Sequence, residues 1–423
     1  MPDKSASSIT LHPLSPWEQA RVLRMASREI ESTLTPELSS VYAQHVAKSL
    51  MAVLNNVALA AEGLRLQGTI EQGVAGQLQR ARAADAAISQ SCTSEVARLA
   101  ELDVPVTAER VDAYLRTNPE LKSETTARIS QLPGGFSKQT FMLDAASGRN
   151  LVIRRDLPRG PTPASAADEF PILNALAAAG LPVPRALGAE KDPRFLGYPF
   201  IIVERVEGQS ATQIASQSPQ LGRRVCIQLA QVLGRLHSLD PSAVGLAPSR
   251  DPVACVSDYV RSWHELWHRR STDHSDMVEA GFAWLQAHIP RNVQRLALIH
   301  GDARPDNMLA TADGRVTALL DWEFIHVGDP VEDLLYACQF IGSFIDTQAF
   351  LDAYRDAGGV THDDSRSQFY EIWRNVRNLV CLDLSWSAFA TGDYPEYVAG
   401  TPSLLFRRAL IVDLARCLQA TGL

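Results

Sequence analysis

One segment, residues 298–323, constrains what this chain can fold into more than any other. It reads LIHGDARPDNMLATADGRVTALLDWE and places Asp302 five residues before Asn307, with Asp321 after a hairpin-like interval. Phosphoryl transfer needs one carboxylate to orient the acceptor hydroxyl, and an Asn and an Asp to hold the Mg²⁺ ions that bridge the phosphates. A D-x-x-x-x-N spacing followed by a metal-binding Asp is typical of catalytic loops that perform this chemistry. The segment therefore predicts a phosphotransferase.

Composition and charge exclude several other classes of protein. The chain has 423 residues, 46% of them hydrophobic, which suits about two or three globular domains. A net charge of −8 leaves no basic surface for nucleic-acid phosphates, so no nucleic-acid partner is expected. The six cysteines form no C-x-x-C pair, which favours a reducing compartment over a disulfide framework or a cysteine-rich zinc site. Because no signal peptide and no membrane-length apolar run is evident, we expect a cytoplasmic protein without a membrane partner.

The first region of the chain, residues 1–122, reads as helical. Helix-start signals occur at Ser15-Pro16-Trp17-Glu18 and at Thr35-Pro36-Glu37, and a further helix is predicted over 108–116. No catalytic constellation occurs there. We interpret residues 1–122 as an N-terminal helical domain of unknown role that packs on the rest of the chain or on a partner.

A change of period near residue 125 marks the second region, residues 123–207. Short β-rich runs at 127–132, 139–144 and 151–155 are separated by turn residues, which predicts three antiparallel strands. A helix over 166–179 and a buried strand at 200–205 follow. The third region, residues 208–423, is dominated by long helices. Within it, the Asp313-Gly314 pair predicts a hairpin inside the 298–323 segment.

Together these features resemble the aminoglycoside phosphotransferase family of small-molecule kinases, a branch of the protein-kinase-like fold. The resemblance runs from about residue 125 to about residue 420. It implies an α+β, two-lobed fold with a small β-rich nucleotide-binding lobe (123–207) and a large helical catalytic lobe (208–423). It also implies ATP and Mg²⁺ as cofactors and a small hydroxylated molecule as substrate. The matching segments are His300-Gly301-Asp302 with Asn307, Leu320-Asp321-Trp322-Glu323, Gly328-Asp329-Pro330 with Asp333-Leu334, Gly134-Gly135-Phe136-Ser137 and Leu236-His237.

The resemblance assigns roles to the polar residues of the 298–323 segment. Asp302 is the expected catalytic base, because a positioned carboxylate aligns the acceptor hydroxyl and takes its proton. Asn307 and Asp321 are the expected Mg²⁺ ligands, since this ion takes one or two protein oxygens beside phosphate and water. His300 is expected to brace the loop. Arg304 contacts the acceptor or the γ-phosphate, or is an ordinary surface arginine; the sequence leaves both open.

Just beyond this segment, the resemblance suggests a supporting role for Asp329. We expect its carboxylate to stabilise the catalytic loop by accepting backbone N–H groups, with helix capping as the alternative.

The expected nucleotide contacts come from the β-rich lobe. Gly134, Gly135, Phe136 and Ser137 form a turn whose N–H groups can approach phosphates, and the absence of a G-x-x-x-x-G-K-[ST] motif disfavours a P-loop enzyme. The third strand carries Arg154 where kinases place a lysine, and Glu169 on the next helix is its expected partner. Glu204 and Val206 fall at the hinge, where backbone groups would read adenine.

Two alternative functions stay open. The Arg154 substitution and the N-terminal extension allow a nucleotide-binding kinase-like module with little activity. His264-Glu265-Leu266-Trp267-His268 matches H-E-x-x-H, with His274 where a third ligand could sit, so a zinc hydrolase with Glu265 as base is a weaker alternative.

The acceptor and the oligomeric state cannot be read from the sequence. Between residues 343 and 400 the chain has nine acidic residues, four arginines and no lysine. We interpret this segment as an acidic wall that would favour a cationic substrate.

Overall fold

The computed structural model describes residues 104–422 apart from 133–136, 158–159, 247–250, 273, 294, 361–363 and 392–396. The predicted helix starts at Ser15 and Thr35 lie outside the described residues. Residues 99–423 form one compact unit. Its described part has a β-rich lobe followed by a helical lobe, which confirms the predicted α+β, two-lobed fold.

The β-rich lobe is built on a five-stranded antiparallel sheet. Its strand order is β1-β2-β3-β5-β4, so the first three strands form a meander and the last two pair on its far side. One helix, α2, follows β3 after a single 3₁₀ turn and packs against the sheet. The bounds are Thr126–Gln131 (β1), Lys138–Ala145 (β2), Asn150–Asp156 (β3), Glu169–Ala178 (α2), Ala186–Glu190 (β4) and Phe200–Glu204 (β5).

Alternation along β3 decides which side chain reaches the front of this sheet. Leu151 and Ile153 are fully buried in the core on one face. Because successive residues of a strand point to opposite faces, Val152 and Arg154 lie on the other face. That face borders a cleft, which both residues line.

A helix covers the back of the sheet. It spans Ala108–Leu115 (α1) and buries Tyr114 and Leu115 in one apolar cluster with Leu143 and Ile153. The sequence predicted this helix but assigned it to the N-terminal region, because an amphipathic pattern does not say which surface the helix covers. In the structure it packs within the core of the β-rich lobe.

The helical lobe contains two apolar cores. One core lies around the long helix α4 and extends to the face of the sheet that carries Val152. The other lies between α5, α6, α9 and α10, whose bounds are given at the end of this paragraph. Ser218 caps α4 by accepting from the Leu221 N–H, and Pro219 occupies its first turn, as expected at a helix start. The helices are Ala211–Ala215 (α3), Pro219–Ser238 (α4), Pro252–Arg270 (α5), Asp276–Ala287 (α6), Val331–Ile341 (α7), Thr347–Asp356 (α8), Ser367–Ala390 (α9) and Tyr397–Gln419 (α10).

Two small sheets in the helical lobe hold the 298–323 segment. One has the order β6-β8-β9, and β8 and β9 form the predicted hairpin, with Gly314 at φ 80° in its turn. The other sheet pairs β7, at the start of the segment, with β10, which follows the segment. Their bounds are Gln209–Ser210 (β6), Ala297–Ile299 (β7), Met308–Ala310 (β8), Val316–Leu319 (β9) and His326–Gly328 (β10).

Among the helices of the described residues, none combines the length and the apolar character needed to cross a membrane.

Candidate active site

A cleft of about 590 Å³ lies between the five-stranded sheet and the 298–323 segment. The sheet and α2 contribute Arg154 and Glu169 to its walls, and the opposite side contributes Asn307 and Asp321. The cleft therefore brings together predicted site residues far apart in the chain; Arg154 and Asp321, for example, are 167 positions apart.

Asp302 and Asn307 are joined directly at the edge of this cleft. The Asn307 side-chain amide donates to Asp302 Oδ2 at 2.6 Å and to the Asp302 carbonyl at 2.9 Å. Both hydrogen bonds start from the amide nitrogen of Asn307, so its amide oxygen stays available to bind a cation. Asp302 is 9% exposed, and its Oδ1 makes no hydrogen bond within the described residues. A buried carboxylate oxygen without a donor can accept a proton or a hydroxyl hydrogen bond.

Asp333, rather than Asp329, holds the catalytic loop. The His300 N–H donates to Asp333 Oδ2 and the Gly301 N–H donates to Asp333 Oδ1, each at 2.7 Å. Asp329 instead caps α7 by accepting from the Val331 N–H. Of the two roles considered for Asp329, the described contacts show the helix-capping one, while Asp333, four residues later, contacts the loop.

Two histidines extend this arrangement on either side of the loop. His237 Nε2 lies 3.1 Å from Asp333 Oδ2, and His237 Nδ1 lies 2.9 Å from the Tyr354 hydroxyl. His300 Nδ1 accepts from the Asp302 N–H while its Nε2 donates to the Leu320 carbonyl. His300 thus braces the loop as predicted. The sequence analysis gave His237 no role, although the Leu236-His237 match marked its position.

Ionisation of Asp333 is favoured by its donors. Its side chain is fully buried, and burial opposes ionisation. The hydrogen bond from His237 and the donors of His300 outweigh this effect and hold the pKa of Asp333 below its ordinary value. The catalytic loop is therefore anchored on a buried carboxylate that accepts from three directions.

Across the cleft, Arg154 joins two acidic residues. Its Nη1 lies 2.6 Å from Glu169 Oε2, and its Nη2 lies 2.5 Å from Asp321 Oδ1. Burial alone would lower the pKa of Arg154, but Glu169 and Asp321 raise it above its usual range. The structure thus brings the predicted pair Arg154 and Glu169 together, and it adds a contact between Arg154 and Asp321, a predicted metal ligand. Asp321 has φ 69°, a left-handed conformation that is uncommon for residues other than glycine.

Glu323 is a residue of this site that the sequence analysis missed. It is 6% exposed, its Oε2 makes no hydrogen bond within the described residues, and burial with the nearby Asp321 raises its pKa to about 8. The charges of Lys138 and Arg154 act in the opposite direction. In the sequence, Glu323 ends the segment Leu320-Asp321-Trp322-Glu323, which carries part of the family resemblance, but the sequence analysis gave Glu323 itself no role.

Lys138 is a second cation at the cleft. Its ammonium lies 2.9 Å from Asp156 Oδ1 and donates to the Ala164 carbonyl at 2.7 Å. Arg154 is thus accompanied by a lysine that lines the same cleft. This lysine follows directly on the predicted phosphate-binding turn, of which Gly134, Gly135 and Phe136 lie outside the described residues. Ser137 is described and lines the cleft.

Arg304 lies beside Asp302 and is one-third exposed. Its Nε is 3.6 Å from Asp302 Oδ1 and makes no hydrogen bond within the described residues. The guanidinium stacks over Phe340 with its carbon 5.2 Å from the ring centroid. Arg304 is therefore a cation held next to the candidate base.

At the hinge, Glu204 and Val206 both line the cleft. The Glu204 N–H already donates to the Arg185 carbonyl at 2.9 Å, and its carboxylate pairs with Arg149 at 2.8 Å. The Glu204 N–H is therefore already hydrogen-bonded and is not available to an adenine ring bound at the hinge.

The residues of the cleft fit a magnesium–nucleotide complex. Hard divalent cations take oxygen ligands, which the Asn307 amide and the partly exposed Asp321 carboxylate supply. Arg154 and Lys138 supply the positive charge that phosphates require. Glu323 does not line the cleft, but its buried carboxylate interacts with the charges of Asp321, Lys138 and Arg154.

Three of the nine acidic residues of 343–400 are engaged within the helical lobe, and Asp363, Asp393 and Glu396 lie outside the described residues. Asp346 caps α8, Asp352 pairs with Arg355, and Asp383 is buried between the Trp267 N–H and Arg407. These carboxylates are used within the helical lobe, which a count of charges along the sequence could not show.

Comparison with known proteins identifies relatives of this region. Residues 128–370 match the model of the phosphotransferase enzyme family. Acyl-CoA dehydrogenase family member 11 of Gallus gallus is 33% identical over 260 residues, covering 59% of this chain and 32% of the relative. Acyl-CoA dehydrogenase family member 10 of Mus musculus is 32% identical over 236 residues, covering 54% of this chain and 22% of the relative. The matched part is thus a third or less of each of these two relatives.

Solved structures with the same fold include a proposed aminoglycoside phosphotransferase of Ralstonia eutropha, with a TM-score of 0.56, 21% identity and coverage of 74% of this chain and 98% of that one. A thermostable mutant of aminoglycoside phosphotransferase APH(4)-Ia has a TM-score of 0.51 and 15% identity, covering 74% and 99%. These identities are low, so the likeness is one of fold.

Proposed function

The chain belongs to the phosphotransferase enzyme family, and from this premise we propose that it transfers the γ-phosphoryl group of ATP to a hydroxyl of a small molecule in a Mg²⁺-dependent reaction. The observation that carries the proposal is the convergence of Asn307, Asp321 and Arg154 on one cleft, with Asp302 bonded directly to Asn307. A chance occurrence of the motif would not assemble these groups.

In this proposal, Asp302 aligns the acceptor hydroxyl and accepts its proton. Its Oδ2 is fixed by Asn307, while its Oδ1 has no donor within the described residues, so Oδ1 is the oxygen that receives the hydroxyl. Asp302 does not itself line the nucleotide cleft, whereas Asn307 does. The acceptor therefore approaches from the side of Arg304 and Phe340, and Arg304 balances charge near the transferred group.

Nucleotide binding falls to the residues around Arg154. Arg154 and Lys138 bind phosphate oxygens, and Asn307 and Asp321 hold Mg²⁺, which neutralises charge on the phosphates when bound. Glu169 fixes the Arg154 guanidinium at 2.6 Å, as the predicted partner of a phosphate-binding cation should. Since phosphoryl transfer depends mainly on positioning and charge neutralisation, these contacts supply most of the requirements of the reaction.

The acceptor class needs a broad screen. The two curated relatives described above are named acyl-CoA dehydrogenase family members, and the neighbours in fold are named aminoglycoside phosphotransferases. A panel should therefore include hydroxyacyl thioesters, aminoglycosides, sugars and amino alcohols.

The test is transfer of labelled γ-phosphate from ATP or GTP to each acceptor, with Mg²⁺ and with chelator. We expect a phosphorylated product from at least one acceptor class, in Mg²⁺ only. Nucleotide binding without product across the panel would instead favour the kinase-like module with little activity.

A further inference from the structure

Outside the cleft, His264, His268 and Glu279 bring three metal-ligating side chains to one point on the helical lobe. The two histidines lie one turn apart on α5, and Glu279 lies in the first turn of α6. His264 Nε2 is 3.0 Å from His268 Nε2 and 3.1 Å from Glu279 Oε2, and His268 Nε2 is 3.3 Å from the same oxygen. From this geometry we infer that the chain has a second metal site, for a divalent transition-metal ion such as Zn²⁺, that bridges α5 and α6.

No single N–H group can use all three of these contacts at once. A neutral imidazole nitrogen carries at most one proton, yet His264 Nε2 faces both Glu279 and His268 Nε2 at hydrogen-bond distance. If His268 Nε2 were also protonated, two N–H groups would point at each other. A cation placed between the three atoms would use all of their lone pairs at once.

The separations also match those of a tetrahedral ion. With metal–nitrogen bonds of about 2.0–2.1 Å, two ligands of a tetrahedral zinc site are about 3.3 Å apart. The three edges measured here, 3.0, 3.1 and 3.3 Å, are close to that value. Two imidazoles and one carboxylate select zinc, copper or nickel over Mg²⁺ or Ca²⁺, which prefer oxygen ligands alone.

The surroundings of the three residues support a cation. His268 lies in the last turn of α5, where the helix dipole favours positive charge. The Gln286 side-chain amide is 3.1 Å from His264 Nδ1 and can rotate to present its oxygen to an Nδ1–H, as the outer partner of a metal-bound histidine does. His268 and Glu279 are each 49% exposed, so the fourth position of the ion would be open to water.

This site differs from the zinc hydrolase considered from the sequence. There, Glu265 was the catalytic base and His274 the third ligand. Within the described residues, neither belongs to the three-residue group; His274 stacks on His268 with ring centroids 5.3 Å apart. Glu279 takes the third position, and it lies on a different helix, so the sequence motif could not reveal it. The ion would therefore connect two helices.

The test is calorimetric titration of ZnCl₂ into the full chain after removal of metals by a chelator. Excess MgCl₂ in the buffer saturates the oxygen ligands of the active-site cleft. We expect saturable binding of one Zn²⁺ per chain at the site, weakened about tenfold or more in His268→Gln and in Glu279→Gln. His274→Gln and His288→Gln, two histidines outside the group, serve as matched controls and should bind as the wild type does.

A second readout guards against a folding defect in the variants. ZnCl₂ should raise the melting temperature of the wild type and of both controls, but not that of His268→Gln or Glu279→Gln. The inference would be overturned by a wild type that shows no saturable zinc binding. Equal binding in His268→Gln and the wild type, or an equal loss in His274→Gln, would overturn it as well.

Discussion

The anchor of the catalytic loop and the charged residues of the cleft are built in opposite ways. At the anchor, Asp333 is fully buried, and each of its oxygens accepts at least one hydrogen bond from the chain itself. The charged residues, which we call the charge cluster, are Arg154 and Glu169 from the sheet and α2 with Asp321 and Glu323 from the 298–323 segment; the acids outnumber the arginine, and Glu323 Oε2 has no hydrogen bond within the described residues. The Asp333 anchor is satisfied by the chain, whereas the charge cluster is suited to receive an additional cation.

This difference teaches which part of the site depends on a ligand. A buried carboxylate with all its donors in place fixes one geometry in the absence of substrate. Burial, together with the negative charge of Asp321, raises the pKa of Glu323, and a cluster of this kind is stabilised when a divalent cation enters. We therefore expect substitutions in the loop to affect stability and turnover, and substitutions in the charge cluster to affect nucleotide affinity and pH dependence.

The largest effect is expected for Asp302→Asn. Removing the candidate base should lower turnover by about 10²- to 10⁴-fold, because positioned general bases contribute that much. Nucleotide affinity should stay unchanged, since Asp302 does not line the cleft. Steady-state rates with calorimetric binding of ATP measure both. Asp313→Asn, an exposed carboxylate of the same segment that does not line the cleft, is the matched control. Wild-type turnover in Asp302→Asn would remove this residue from the mechanism.

Asp333→Asn should destabilise the loop side strongly. An amide would turn an NH₂ group toward one of the N–H donors of His300, Gly301 or His237, so we expect a loss of about 3 kcal/mol in unfolding free energy. Denaturant unfolding measures it. Asp346→Asn is the control, because asparagine caps a helix about as well as aspartate. Equal stability of the two variants would contradict the anchoring role of Asp333.

Arg154→Met should weaken binding of the Mg²⁺–ATP complex by about 10- to 100-fold, which corresponds to the loss of charge-assisted hydrogen bonds to phosphate. Arg185→Met, an exposed arginine that pairs with Glu120 and Glu204, should bind nearly as the wild type does. Isothermal titration with a non-hydrolysable nucleotide compares them. If Arg154→Met kept its affinity, the charge cluster would not contact phosphate.

The smallest effect is expected for Glu323→Gln and concerns pH. Because burial raises the pKa of Glu323 from 4.5 to about 8 in the folded protein, the folded state retains a proton that the unfolded state has lost between these values. This group thus makes the nucleotide-free protein less stable as the pH rises from 4.5 to about 8.

Glutamine abolishes this titration. The melting temperature of Glu323→Gln relative to the wild type should rise by several degrees between acidic and alkaline pH. A constant difference across that range would contradict the raised pKa.

Much of the fold and part of the site followed from local pattern. The period-2 runs predicted the sheet, and the spacing of Asp302, Asn307 and Asp321 predicted which side chains meet, because a hairpin turn joins them. The Arg154–Glu169 pair was predicted from its place on the third strand and the next helix.

What could not be predicted depends on tertiary packing. The choice of Asp333 over Asp329 depends on where α7 begins, because Asp329 lies before the helix and Asp333 lies in its first turn, next to the loop. The unusual pKa of Glu323 arises from burial, which depends on elements far apart in the chain. The same reason applies to Glu279, which joins two histidines from another helix.

The most direct test of the charge cluster as the metal–nucleotide site is the Mg²⁺ dependence of ATP affinity in the wild type and in Asp321→Asn. Asparagine tolerates the left-handed backbone at this position, so the variant changes charge with little strain. We expect Mg²⁺ to strengthen nucleotide binding to the wild type and to have little effect on Asp321→Asn. Wild-type binding that is indifferent to Mg²⁺, or full Mg²⁺ dependence in the variant, would contradict the account.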